Sequence, residues 1–153
     1  MLADDSLSAV RFTRPPLHSL LLPIPATCLI GALLTDLAYW KSAEMTWADF
    51  SAWLVSAGAI LAWIVGIIGV IDFLVTRRRR TGPVSWLYVL ANLVVIALAT
   101  LNMLEHTHDA WTSVMPWGLA LSAVTAVIAA IALIMTWRPR PLVYRDRLRE
   151  FEA

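Results

Sequence analysis

The sequence contains one cysteine, Cys28, so no intramolecular disulfide can form and cysteine gives no reading of the redox compartment. Charge is scarce as well. Only 15% of the residues are Asp, Glu, Lys or Arg, where soluble domains carry about a quarter. The net charge of +1 gives no ground for a nucleic-acid partner. There is no glycine-rich phosphate loop, no serine–histidine constellation and no Cys-x-x-Cys-His haem attachment, so the common motifs for nucleotide binding, hydrolysis and covalent haem are missing. A cleavable leader is not expected either. Asp4 and Asp5 stand where a basic start would, and no Ala-x-Ala site follows. Thr27 before Cys28 and Leu29-Ile30 after it do not fit a lipoprotein anchor. The first apolar run is therefore expected to be a retained helix.

Apolar sequence is what the chain has in excess. Of its 153 residues 59% are hydrophobic, and the mean hydropathy is +0.71. The length suits one domain. The apolar residues fall into four runs, at about 19–40, 49–75, 84–104 and 114–137. Each covers the ~20 residues that an α-helix needs to cross a ~30 Å hydrocarbon core. The second would extend about 40 Å, so it should tilt or protrude. The links at 41–48, 76–83 and 105–113 are short, which makes neighbouring helices antiparallel. The expected fold is all-α: a polytopic membrane protein with four transmembrane helices in an antiparallel bundle. Residues 1–18 form an N-terminal tail, 19–137 the membrane domain and 138–153 a basic C-terminal tail.

The basic residues set the expected orientation. Arg11 and Arg14, the run Arg77, Arg78, Arg79 and Arg80, and Arg138, Arg140, Arg145, Arg147 and Arg149 all lie on one side; Lys41 alone lies on the other. The positive-inside rule places both termini in the cytoplasm, with Arg77–Arg80 as topology determinants of a multi-pass membrane protein. Tryptophan fits this depth assignment, with Trp40, Trp47, Trp111 and Trp117 at the outer boundary and Trp86 and Trp137 at the inner one. Trp63 falls mid-span and reads as a packing residue.

Two runs carry small residues every fourth position: Gly58, Ala62 and Gly66, then Gly118, Ser122, Ala126 and Ala130. In lipid such stripes let backbones approach, so they should face other helices, within the bundle or between subunits. Pro23 and Pro25 lie in the first turns of run one, where an irregular or broken start is expected.

Ionisable groups inside a membrane are functional suspects, because each costs about 2.5–3.5 kcal/mol or more at the centre. His18, Asp72, Tyr88 and Asn92 share one depth near the inner boundary. They read either as a hydrogen-bonded cluster or as separate interfacial residues satisfied by water, headgroups or arginine. Asp36, one turn before Trp40, reads as near the outer edge. In the outer link, Glu105-His106-Thr107-His108-Asp109 offers His106 and His108 as weak metal candidates. Ligands this close in sequence rarely complete a site alone, so a solvated loop is the favoured reading and no metal is expected.

Several stretches resemble one family. They are Pro16-Leu17-His18-Ser19-Leu20-Leu21-Leu22-Pro23-Ile24-Pro25, Gly31-Ala32-Leu33-Leu34-Thr35-Asp36-Leu37-Ala38-Tyr39-Trp40 and Gly69-Val70-Ile71-Asp72-Phe73-Leu74. Trp47, Ser51, Trp53, Asn92 and the closing Leu142-Val143-Tyr144-Arg145 join them. From about 15 to 145 the chain is similar to the bacterial domain of unknown function 2231 family. The resemblance implies a four-helix inner-membrane protein with no established activity, some of whose members are joined to, or sit beside, Rieske-type iron–sulfur proteins. The chain departs from the family pattern in three places. Pro15 stands where the family has the first histidine of His-Pro-x-His-Pro, Tyr88 where it often has another, and Pro139-Arg140-Pro141 where it often has Gly-Gly-Glu. A bis-histidine haem needs two axial nitrogens, and His18 has no histidine at its depth.

The expected function is a non-catalytic membrane anchor or accessory subunit of a larger assembly, a redox assembly being one candidate. Its partners would be lipid and other membrane subunits or a second copy of itself. The alternatives are a haem b- or quinone-linked electron-transfer module and a small oligomeric transporter or channel. No cofactor is expected in the first case.

Overall fold

The computed structural model describes residues 16–76, 86–107 and 114–137. Arg77–Arg80, Trp111, His108 and both tails lie outside the described residues, as does everything inferred from them above. Among the described residues five helices run in the order α1 (Leu17–Leu21), α2 (Pro23–Ser42), α3 (Met45–Thr76), α4 (Trp86–His106) and α5 (Trp117–Trp137). Among the described residues there is no strand. Four stretches of the described residues are long and apolar enough to cross a membrane: Leu17–Ser42, Met45–Val75, Trp86–His106 and Trp117–Thr136. The four-helix membrane fold read from the sequence is the fold found.

The helices close a ring in chain order, with α3 between α2 and α4, and α5 between α4 and α2. The short α1 folds against α3. One end of the bundle holds the α2–α3 turn, the last turn of α4 and the start of α5; we call it the turn end. The opposite end, which holds Pro16 and Trp86, is the tail end.

The proline-rich start of the first span is nearly continuous. Leu22 keeps helical angles (φ −54°, ψ −34°), and its N–H donates to the His18 carbonyl at 3.0 Å. The interruption is one of hydrogen bonds. Pro23 and Pro25 have no N–H, so the carbonyls of Ser19 and Leu21 lose their helical donors while the path of the chain is kept. At the turn end, Ala43 takes left-handed angles (φ 55°) and donates to the Tyr39 carbonyl at 2.8 Å, which ends α2 and reverses the chain within two residues. The Met115–Pro116 peptide is cis, and α5 starts only at Trp117, three residues beyond the expected start of run four.

Small residues make the interior. Ala26, Leu29, Ala59, Val95, Ala99 and Ala129 form the central core, contributed by all four long helices. Both small-residue stripes turn inward. Gly58, Ala62, Gly118, Ser122 and Ala126 are buried, and Gly66 and Ala130 half-buried. A Cβ on Gly58 would lie 2.9 Å from Leu29 Cδ2 and 3.0 Å from Leu29 Cγ, so α2 sits directly on α3 there. A Cβ on Gly66 would meet Ile96 Cδ1 of α4 at 2.8 Å.

Large side chains face outward, as a hydrocarbon solvent permits. Trp40, Trp47, Trp53, Trp86 and Trp117 are exposed. So is Trp63, which corrects its reading as a packing residue. Its indole N–H donates to Thr100 Oγ1 at 3.0 Å, and that hydroxyl donates to the Ile96 carbonyl at 2.8 Å, so the exposed indole does not present a bare donor. At about 1.5 Å per residue the 32 residues of α3 measure about 48 Å, well over a ~30 Å core.

The glycine contacts set a test. Overpacking costs about 1–3 kcal/mol, and an alanine in place of a helical glycine gains up to about 1 kcal/mol. Gly58→Ala must displace the branch carbon of Leu29 and should lower stability by about 1–2 kcal/mol. Gly66→Ala needs only the tip of Ile96 to swing and should be close to neutral. Thermal unfolding of both variants in one detergent, followed by tryptophan fluorescence, checks the order.

Candidate functional site

Polar side chains meet at both ends of the bundle. At the turn end, Asp36 and Ser51 sit at equal depth, because Asp36 is seven residues before Ala43 and Ser51 seven after Glu44. The α2–α3 hairpin therefore brings them face to face, and Ser51 Oγ donates to Asp36 Oδ1. His106, the last residue of α4, reaches across the ring. Its Nε2 is 3.2 Å from the same Asp36 Oδ1 and 3.1 Å from Ser51 Oγ. Its Nδ1 donates to the Asn102 carbonyl one turn earlier, at 2.9 Å. Asn102 Nδ2 then donates to Ser122 Oγ of α5 at 2.8 Å. One network thus joins all four long helices.

This network is sealed. Asp36 and Ser51 have no accessible surface, Asn102 and Ser122 are 1% exposed and the His106 side chain 1%. Below it lies the central apolar core. Above it Tyr39, Ala48 and Val114, with Met45 and Met115 packed on them, close the turn end. Asp36 Oδ2 and Asn102 Oδ1 are buried without a hydrogen-bond partner.

Serine, histidine and aspartate in contact suggest a nucleophilic triad, but the geometry is different. A triad is a chain: the nucleophile meets Nε2 and the carboxylate holds Nδ1. Here serine and carboxylate both meet Nε2, and a backbone carbonyl holds Nδ1. The arrangement is a closed triangle, and the two apolar layers keep substrates from it.

The tail end holds the residues that the sequence singled out. His18 Nδ1 lies 2.9 Å from Asp72 Oδ2, and the His18 backbone N–H donates to the same oxygen at 3.2 Å. The carboxylate thus caps the first turn of α1 and orients the ring. With Nδ1 on the carboxylate, Nε2 is the nitrogen left to meet another group. The pair is partly accessible, at 14% for the His18 side chain and 27% for Asp72. The Tyr88 ring centroid is 6.5 Å from that of His18, and the buried Tyr88 hydroxyl has no hydrogen-bond partner. Asn92 bonds along its own helix, Nδ2 donating to the Tyr88 carbonyl at 2.8 Å. The structure therefore brings His18, Asp72 and Tyr88 together and gives Asn92 a local partner.

The weak metal reading at His106 changes. His106 is the last residue of α4, and both its ring nitrogens point into the network, so it is not part of a solvated loop. Among the described residues no group of three His, Cys, Asp or Glu side chains could hold a metal ion.

Residues 14–149 match the family DUF2231, described as a predicted membrane protein. The chain belongs to the DUF2231 family. No curated protein and no solved structure matches it. Two of the residues that carry the resemblance, Asp36 and Ser51, are members of the buried triangle, and His18 and Asp72 form the tail-end pair.

The sequence reading missed the turn-end network. In the sequence Asp36 reads as an edge residue, Ser51 only as part of the family resemblance, Ser122 only as a packing residue, and Asn102 carries no signal. One signal was present, since Asp36 and Ser51 are equidistant from the Ala43-Glu44 turn.

The network sets an energetic test. His106→Leu leaves Asp36 buried opposite an apolar group, which costs about 3–5 kcal/mol. Loss of the Asn102–Ser122 bond, a neutral pair between membrane helices, should cost only about 0.6–2 kcal/mol. Adding Asp36→Leu to His106→Leu removes the orphan charge and should recover about half or more of the first loss. Unfolding midpoints of the single and double variants check this; simple additivity would argue against a coupled pair.

Proposed function

We propose that this DUF2231 protein is a non-catalytic membrane subunit, an anchor or accessory chain of a larger assembly in a bacterial inner membrane. The observation that supports this reading most is the direction of its polar chemistry. Asp36, Ser51, Asn102, His106 and Ser122 bond to one another across all four spans and are closed off at both sides. Such a network fastens the helices into one unit, as an anchor needs, and offers a reactant no path to it. Purification of the tagged full chain from its native membrane in mild detergent tests the reading. The expected result is a particle larger than the 17.0 kDa chain with defined co-purifying protein. A monomer that carries nothing would refute it.

A second reading, a haem- or quinone-linked electron-transfer module, draws on one observation. Asp72 holds His18 Nδ1, and a carboxylate on that nitrogen orients an imidazole for ligation or hydrogen bonding through Nε2. A Soret band that shifts on dithionite reduction of the same preparation, or quinone in its lipid extract, would favour this reading over a pure anchor. A transporter or channel would need several copies to build a polar path.

For orientation we propose that both termini are cytoplasmic, on the asymmetry of eleven arginines against Lys41. Fluorescent-protein fusions, which mature on the cytoplasmic side, should glow at either terminus, and alkaline phosphatase fusions there should be inactive. Active phosphatase at either end would reverse the assignment.

A further inference from the structure

Hydrogen-bond bookkeeping in the turn-end triangle leaves one edge short of a hydrogen. His106 Nδ1 faces the Asn102 carbonyl, which can only accept, so Nδ1 carries a hydrogen. In a neutral imidazole that is its only N–H, and Nε2 is a bare acceptor. Nε2 lies 3.2 Å from Asp36 Oδ1, which is also an acceptor when ionised. Ser51 brings one hydroxyl hydrogen, for which Asp36 Oδ1, His106 Nε2 and the Ala32 carbonyl at 3.5 Å all compete. That hydrogen cannot also bridge Asp36 to His106. A hydrogen bond across the 3.2 Å Asp36–His106 contact therefore requires a proton of its own, on the ring or on the carboxyl.

The surroundings make that proton matter. The titratable groups that act on His106 are the carboxyl groups of Asp36, facing it from α2, and Glu105, beside it on α4. From α3 comes the Ser51 hydroxyl, and from α5 the Ser122 hydroxyl by way of Asn102, neither of which titrates near neutral pH. Asp36 Oδ2, fully buried, has no other partner. Tyr39, one turn beyond Asp36, belongs to the apolar seal.

We propose that Asp36, Ser51 and His106 form a binding site for a single proton, held jointly by the carboxylate and the imidazole, and that its occupancy fastens α4 to α2 and α3 at the turn end. With the proton in place the pair is neutral overall. When it leaves, a carboxylate and an unprotonated ring nitrogen face each other, lone pair to lone pair, in a sealed low-dielectric space. The relief is separation of the last turn of α4 or admission of water past Tyr39 and Val114. The test of this site does not depend on a partner.

The experiment uses the full chain in lipid nanodiscs, as wild type and Asp36→Asn, over a series from about pH 5 to about pH 9. In the variant the amide N–H can donate to Nε2 with no added proton, so it mimics the loaded site permanently. The wild-type unfolding midpoint, measured relative to the variant at each pH, should fall by roughly 5–15 °C as the medium becomes alkaline. The bond needs a proton, so stability is present in acid and lost as the proton is released. Histidine-selective ¹⁵N spectra, with His106 assigned by its loss in His106→Gln, should show a one-proton change in the wild type. The variant should hold the neutral Nδ1–H tautomer throughout. Parallel midpoint profiles, or His106 spectra that coincide in the two proteins at every pH, overturn the proposal. If Asp36→Asn does not fold, the wild-type spectrum decides alone: a His106 that shows no one-proton change across the series overturns it.

Discussion

A histidine and an aspartate in contact inside a membrane-sized helical bundle set the terms for everything around them. Hydrocarbon offers neither group a hydrogen bond, so the partners that the contact has must come from the bundle. Ser51 supplies a hydroxyl, the Asn102 carbonyl fixes the ring, and Asn102 passes the connection to Ser122. Each of these side chains is short. They reach one another only because the backbones are close, and the backbones are close because most of the buried core is alanine and other small residues. Gly58 against Leu29 and Gly66 against Ile96 are where that closeness is most visible. Small-residue packing and the polar network are thus one design, in which the first permits the second and the second fixes its register.

The same chemical pair at the two ends illustrates what burial changes. His18 and Asp72 are partly open, and the carboxylate also serves a helix-start N–H, so loss of the pair would leave groups that water or headgroups can reach. Asp36 and His106 have no such recourse, because the core lies below and the Tyr39, Ala48 and Val114 layer above. An open pair is suited to meeting a ligand. A closed pair is suited to holding helices together and to registering its own proton.

Much of the fold was legible in the sequence, because it depends on quantities that add along the chain. Run length against bilayer thickness picks out four spans, and short links force their antiparallel order. The ends were less legible. Run one begins two residues earlier than its apolar edge, because Leu22 stays helical through the proline pair. α5 begins three residues late, after the cis Met115–Pro116 bond. The tail-end site was half legible. Shared depth placed His18, Asp72 and Tyr88 together, while Asn92, equally deep, turns to its own helix. Depth is readable from sequence; the direction of a short side chain around a helix axis is settled by its neighbours.

By itself the sequence determined that this DUF2231 chain is a four-helix membrane protein, since hydrophobic length and link length suffice for that. It also contained the hairpin symmetry that pairs Asp36 with Ser51, since distance from a tight turn is counted in residues. Only the tertiary structure decided that His106, 70 positions from Asp36, folds inward across the ring and does not stand in an outer loop. It alone decided that the small-residue stripes face inward within one chain. Both outcomes depend on the rotation of each helix about its own axis, which four strongly apolar sequences leave nearly free until the few polar groups find one another.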